Sequence, residues 1–283
     1  MLIWLPLALA TGALLLFLAE RRWPLRHPRA ALLARLLVNV ILAAMVLLVA
    51  AGAVRPLVLK LLMRPAGASL GLLDWLRLPA LVEGALAFAL LDLSFYWWHR
   101  ANHRLPVLWR FHNVHHVDLD LDLSTALRFH FGEVALSAAF RVAQVVVIAP
   151  SPAAFWVYEA CFQAGTLFHH SNLRLPLTLE RGLARLLVTP RMHGIHHSQV
   201  EREASSNYSV VLSLWDRLHR TLRLNVPQRA IEVGVPAHAT AADQRLAFLL
   251  TLPFRRQRDH WRRPDGTVPS RGELPGPIDE LAE

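Results

Sequence analysis

Ten of the chain's 15 histidines fall into four short clusters. They are His99 and His103 in H-R-A-N-H, His112, His115 and His116 in H-N-V-H-H, the pair His169-His170, and His193, His196 and His197 in H-G-I-H-H. On a helix, residues i and i+4, and i and i+3, stand on one face. His99 and His103 can therefore aim at one point. In H-x-x-H-H the first histidine shares a side with both members of the pair, which differ by one helical step, so one box can serve two neighbouring metal ions. Two such boxes predict a two-metal cage, with H-N-V-H-H and H-G-I-H-H feeding its opposite sides inside a helix bundle.

Imidazole suits Zn, Cu, Fe and Ni, so ligand type alone does not choose the metal. The middle residues of both boxes lack the Glu of H-E-x-x-H, which disfavours a zinc metalloprotease. Cysteine is absent from every box, against thiolate zinc and iron–sulfur sites. The only cysteine, Cys161, excludes an internal disulfide. A neutral, nitrogen-rich set of eight or more ligands beside membrane spans best suits two non-haem irons that use dioxygen on an unactivated C–H bond of a lipid. Two rivals are a membrane metal-binding or metal-transport protein, which would spread its ligands within the spans, and a bis-histidine haem protein, which would need pairs on facing spans.

The elements that position the boxes are apolar. Hydrophobic residues make up 54% of the chain, and the mean hydropathy is +0.33, as in a membrane protein. The formal charge of +9 flanks apolar runs, which points to an anionic membrane surface and not to nucleic acid. Residues 1–18 form a first apolar run, followed by the basic R-R-W-P-L-R-H-P-R from Arg21 to Arg29. The basic cluster follows the run and does not precede it, so a cleaved signal peptide is not expected. The positive-inside rule puts that cluster in the cytoplasm. Further spans are expected over 36–54 and 79–98, the latter ending in Phe95-Tyr96-Trp97-Trp98 as an interfacial belt. Pro150-Ser151-Pro152 cuts the next apolar region, 134–168, into a helical hairpin that crosses or dips into the bilayer. The expected fold is an all-α integral membrane protein of about four to five transmembrane or re-entrant helices with a cytoplasmic helical cap carrying the site. Three segments follow: 1–78 as N-terminal transmembrane helices, 79–224 as the histidine-box catalytic domain, and 225–283 as a cytoplasmic segment with a loose, Pro- and Gly-containing tail from about 255.

The ordered motifs resemble the fatty acid hydroxylase and sterol desaturase superfamily of membrane di-iron enzymes. They are D-x-x-x-Y-W-x-H-R-x-x-H from Asp92 to His103, L-W-x-x-H-x-x-H-H from Leu108 to His116, F-x-H-S-N from Phe168 to Asn172, and T-P-R-x-H-x-x-H-H from Thr189 to His197. A later N-Y-S and L-W-D-R-L, between Asn207 and Leu218, resemble the family's closing motif. The resemblance covers about 92–222. It implies iron ligation by His99, His103, His112, His115, His116, His193, His196 and His197, with His170 as the ninth. His169 is left open between ligand, support and packed neighbour. The resemblance also implies a lipid substrate drawn from the bilayer, a site facing the cytoplasm, and an external ferredoxin- or cytochrome-type electron donor. It leaves hydroxylation, desaturation and ether cleavage open.

The family's F-G-T reads His219-Arg220-Thr221 here, and N-Y-G reads Asn207-Tyr208-Ser209. The first change puts Arg where Gly supplies a special backbone conformation. Support around the ligands is expected from Asp92, Asn172, Asn207 and Asp216, as acceptors for a ligand's other N–H or as capped and partnered polar groups. His130 reads first as a hydrogen-bonded residue and only second as ligand or support. Glu83, Arg141 and Glu159 lie in apolar runs, where charge is costly; they line a substrate path or pair with one another. The Trp-rich stretch from Trp97 to Trp109 reads as interfacial anchoring ahead of a redox relay.

Overall fold

The structure is a computed structural model and describes residues 4–63, 69–272 and 281. The remaining positions of the expected N-terminal and C-terminal segments lie outside the described residues. The described chain is helical, with three isolated bridges and no strand. Helices α1 (Trp4–Arg22) and α2 (Leu32–Val49) open the chain; a π-turn, Ala50–Val54, leads into α3 (Arg55–Leu62). After the short α4 (Leu72–Leu76) come α5 (Ala80–Arg104) and α6 (Pro106–His116). Helices α7 (Phe131–Ile148) and α8 (Pro152–His170) form the hairpin. Short helices α9 (Leu177–Leu183), α10 (Pro190–His196), α11 (Glu201–Ala204), α12 (Leu214–Leu218) and α13 (Leu246–Thr251) build the remainder.

Among the described residues, three helical runs are long and apolar enough to cross a membrane: Leu32–Leu62, Ala80–Arg104 and Phe131–Ile148. Their leucines and valines stay largely exposed, among them Leu33, Leu37, Leu48, Leu81 and Val147. Apolar side chains on that scale find their solvent in lipid. The chain is a membrane protein. The second expected span, 36–54, is extended at both ends. Pro56 removes a backbone donor, yet the helix continues to Leu62, because Ala50–Val54 shifts to wider hydrogen bonding and the Arg55 N–H reaches Ala50 O.

The break at Pro150-Ser151-Pro152 is where the hairpin turns. Ala149 closes α7 in the left-handed region at φ 54°, and Ser151 caps α8. Glu83 holds this turn from α5: Ser151 N and Oγ each donate to its carboxylate at 2.9 Å. Arg141 and Glu159 pair with each other across the hairpin at 3.0 Å. Of the two readings of these intramembrane charges, the structure has the pairing for Arg141 and Glu159 and a turn anchor for Glu83.

Helix α5 packs against α6, α7 and α8, while α8 also meets α10. This brings the C-terminal ends of α5 and α8 onto α6 and α10, so four separate histidine clusters converge. A buried ion network ties the loop after α6 to α2: Arg35 donates to both carboxylate oxygens of Asp118, at 2.8 and 2.9 Å, and to Asp122 at 2.9 Å. Asn39 accepts from Arg128 at 3.0 Å. Beyond Phe254 the chain lacks regular structure through Gly272, yet it lies on the body: Trp261 packs on Trp109, and Arg271 pairs with Glu203 at 2.7 Å.

Candidate metal centre

Nine histidines form two groups whose candidate ligand atoms all lie within 4.8 Å of one another in each group. The first is His99, His103, His112, His116 and His196; the second is His115, His170, His193 and His197. These are the nine positions singled out above, but the boxes do not face each other across the cage. Each box straddles both groups. His112 and His116, one turn apart on α6, enter the first group, and His115 enters the second. On α10 the pattern inverts: His193 and His197 enter the second group and His196 the first. The reason is the helical step, since i and i+4 share a face while i+3 stands roughly 100° from i+4. His99 and His103 complete the first group from α5, and His170 completes the second from α8.

Five of the nine outer nitrogens are fixed by acceptors, while Nδ1 of His193 and of His197 has no hydrogen-bond partner among the described residues. His99 Nδ1 donates to Tyr208 O at 2.8 Å, His196 Nδ1 to Ser206 O at 2.7 Å, and His115 Nδ1 to Arg128 O at 3.2 Å. His170 Nδ1 donates to Thr166 O at 2.8 Å, and His112 Nδ1 to the Glu133 carboxylate at 2.7 Å. With the proton on Nδ1, the lone pair sits on Nε2 and points inward. The buried Nε2 atoms of His103, His112, His116 and His196 have no hydrogen-bond partner among the described residues. In the second group, Nε2 of His170 lies 3.0 Å from that of His115 and 2.9 Å from that of His193. His115 and His170 both spend their N–H on a carbonyl, so two lone pairs face each other at that distance. A cation held by both nitrogens would resolve that arrangement. Ligands at right angles, each about 2.1 Å from a metal, stand about 3 Å apart. The residues present therefore fit a metal in each group.

Burial, reinforced by neighbouring imidazoles, holds His115, His116, His193 and His197 well below the usual imidazole range. Burial pushes His196 down to about 3. Neutral imidazole is the form that ligates.

His169 belongs to neither group: its Nδ1 faces Val210 O at 3.1 Å and its ring packs on His193 at 4.2 Å. His130 is also outside both, with Nδ1 accepting from Gly132 N at 2.9 Å and Nε2 facing Leu250 O at 3.2 Å. Asp92 bonds no histidine. Its carboxylate accepts from Leu212 N at 3.0 Å and Trp215 Nε1 at 2.8 Å, holding the loop before α12. Asp216 accepts from Tyr208 N and Ser209 N, both at 2.9 Å. Asn207, in the left-handed region at φ 54°, donates to Met192 O at 2.9 Å and Arg223 O at 2.8 Å. Asn172 clasps the backbone of Arg26 through both ends of its amide. None of these four polar residues bonds a ligand nitrogen; Asp216 acts one bond further out, through the backbone of Tyr208 and Ser209. The physical reason is access: backbone carbonyls of 206–210 already occupy the outer nitrogens, delivering Ser206 O, Tyr208 O and Val210 O to His196, His99 and His169.

Glu133 was not among the expected support residues; its signal in the sequence is an acid in the first turn of α7, three residues after His130. Arg26 was not among them either. A Cβ at Gly194, inside H-G-I-H-H, would collide with the Arg26 guanidinium, which donates to Gln228 Oε1 at 2.5 Å.

Residues 84–221 match the fatty acid hydroxylase family model. The chain is similar to an alkylglycerol monooxygenase of Danio rerio, 34% identical over 137 residues, which cover 48% of this chain and 29% of that relative. The human alkylglycerol monooxygenase is 31% identical over 135 residues, again 48% of this chain and 29% of the relative. An ornithine lipid hydroxylase of Rhizobium tropici is 29% identical over 160 residues, covering 56% of this chain and 46% of the relative. The match thus spans less than half the length of each of these relatives. No solved structure matches the chain.

Proposed function

Because the chain belongs to the fatty acid hydroxylase and sterol desaturase superfamily, we propose that it is a membrane-bound monooxygenase that hydroxylates a C–H bond of a lipid, with two non-haem irons as cofactors and dioxygen as co-substrate. The observation that carries this reading is the pair of all-imidazole groups, five and four histidines, eight of them buried and His103 half-buried, where helix ends meet. Their fit to a metal is chemical: inward lone pairs, five outward N–H groups held by four carbonyls and one carboxylate, and no competing thiolate. The relatives named above act on lipids as monooxygenases or hydroxylases, which favours oxygen insertion over desaturation. Insertion at a carbon bearing an ether oxygen gives a hemiacetal, so ether cleavage falls within the same chemistry.

When bound, the irons would supply dioxygen activation. His99, His103, His112, His116 and His196 would hold one and His115, His170, His193 and His197 the other. Overall, one oxygen atom enters the C–H bond and the other leaves as water, using two electrons and two protons. The chain's own part is to hold the ligand nitrogens unprotonated, keep them aimed through Glu133 and the 206–210 carbonyls, and exclude bulk water by burial. An external one-electron donor of ferredoxin or cytochrome type supplies the electrons, and the lipid enters from the bilayer. The basic stretch after α1 supports a site facing the cytoplasm.

The test is elemental analysis and Mössbauer spectroscopy of detergent-purified, iron-57-labelled protein, with lipid profiling of expressing cells. About two irons per chain and an oxygenated lipid absent from a His116→Ala control are expected. One zinc, or no retained iron under anaerobic handling, with no new lipid, sinks the oxidative reading in favour of metal binding alone.

A further inference from the structure

Trp109 lies in van der Waals contact with the five-histidine group on one side and with the C-terminal segment on the other. Its ring centroid is 5.0 Å from that of His103 and 5.4 Å from that of His116. On the outer side it is 5.8 Å from Trp261, tilted by 30°, and 5.6 Å from His260. Trp109 is buried and Trp261 half-buried. An unbroken path of π-systems therefore runs from the surface to two members of one candidate metal group. The surface around Trp261 is basic: Arg255, Arg256, Arg258 and Arg262 are exposed, against Asp259 alone of opposite sign within R-R-Q-R-D-H-W-R-R. No hydrogen bond or ion pair holds the Arg256 guanidinium among the described residues.

We propose that the arginine-rich face around Trp261 docks an acidic one-electron carrier, and that Trp261 and Trp109 carry its electrons to the five-histidine group. This rests on the reading of the site as a reductant-dependent oxygenase. Each delivery oxidises a reduced iron–sulfur carrier by one electron and reduces the metal held by His103 and His116 by one; no bond in the protein changes. Two deliveries meet the need of one turnover. The arginines steer a negatively charged partner and set its approach rate. An anionic membrane surface would use the same charge, but it would have no use for adjoining indoles leading inward. That continuity between basic face and imidazoles favours a redox protein.

The experiment uses the full chain in neutral phosphatidylcholine nanodiscs and, as probe, a [2Fe–2S] ferredoxin of net negative charge. Binding of the oxidised probe is measured on metal-free protein and on the Arg256→Glu/Arg262→Glu variant. The variant should bind at least about tenfold more weakly, and wild-type binding should fall steeply with salt. Anaerobic stopped-flow then follows bleaching of the reduced probe by iron-loaded wild type, Trp109→Leu and Trp261→Leu. Both variants should take electrons at least about tenfold more slowly, with unchanged iron content, while dithionite with methyl viologen reduces all three equally. Equal probe affinity in the arginine variant overturns the docking surface, as does a loss confined to vesicles containing phosphatidylserine. Equal bleaching rates, or a loss that the small mediator shares, overturn the tryptophan route. Failure of every preparation to hold iron rejects the oxygenase reading instead, and the binding measurement on metal-free protein still decides the docking face.

Discussion

The rings of His116 and His197 stack at 4.3 Å between centroids, 13° from parallel. One comes from each H-x-x-H-H box, and they belong to different histidine groups. The stack is the seam along which the two candidate metal positions adjoin. The groups share no member: His103, from α5, belongs to the first and His170, from α8, to the second. His103→Ala and His170→Ala should each lower the metal content by about one equivalent, and the double variant should lower it further than either. Elemental analysis of the purified variants reads this directly. A single substitution that removes both equivalents while the protein stays folded would show that the groups do not load separately.

Glu133 holds His112 by a 2.7 Å bond from a position that is 5% exposed. Partners of this kind set ligand orientation and basicity. Glu133→Gln should lower metal affinity by about 10- to 100-fold with the helical content unchanged. Competition with a chromophoric chelator, beside circular dichroism, measures both. Unchanged affinity would reduce Glu133 to a helix-start residue.

Arg220 sits at φ 57°, where the family pattern has glycine. An L side chain in the left-handed region costs roughly 1–2 kcal/mol. Its neighbour Thr221 is fixed by a 2.6 Å bond to Asp216, so the loop cannot relax freely. Arg220→Gly should raise stability by about 1 kcal/mol and the Tm by a few degrees, after the added freedom of the unfolded chain is subtracted. A lower Tm in thermal scans would contradict the strain.

His238 is buried, and burial pushes it down to about 4, against the pull of Asp243 Oδ1 3.8 Å away. The unfolded chain takes up that proton near pH 6.5. The folded state thus loses His238's contribution as pH falls from about 6.5 toward 4. His238→Leu removes the liability. The Tm difference between variant and wild type should move in the variant's favour between pH 7 and pH 5, read by scanning calorimetry in detergent. A difference independent of pH would place His238 outside the acid response.

Gly194 admits the Arg26 guanidinium against the box helix. Gly194→Ala forces that group off Gln228 and should destabilise by about 1–3 kcal/mol. Pairing it with Arg26→Ala should recover part of the loss; full additivity in thermal denaturation would show that the two do not touch.

The gathering of the histidines was legible because it is local. A box written at i, i+3 and i+4 has few ways to place its imidazoles, and the nine grouped histidines are those that spacing and family resemblance singled out. Apolar length placed the helices on the same ground, although Pro56 marked no end, since a π-turn absorbs the missing donor. The tasks of Asp92, Asp216 and Asn207 were not legible. Each bonds backbone of the loops that follow the boxes, and for Asp92 the partner lies 120 residues along the chain. A short polar side chain can serve any backbone group that folding brings within reach, and its type does not say which. The residue types and their spacing alone thus determined a helical membrane chain with two histidine boxes competent for metal. Only the tertiary structure decided that each box divides between two groups, that Glu133 and the 206–210 carbonyls orient the rings, and that Trp109 joins the cage to the surface. Those outcomes depend on how α5, α6, α8 and α10 cross, and crossing is settled by packing between residues far apart in the chain.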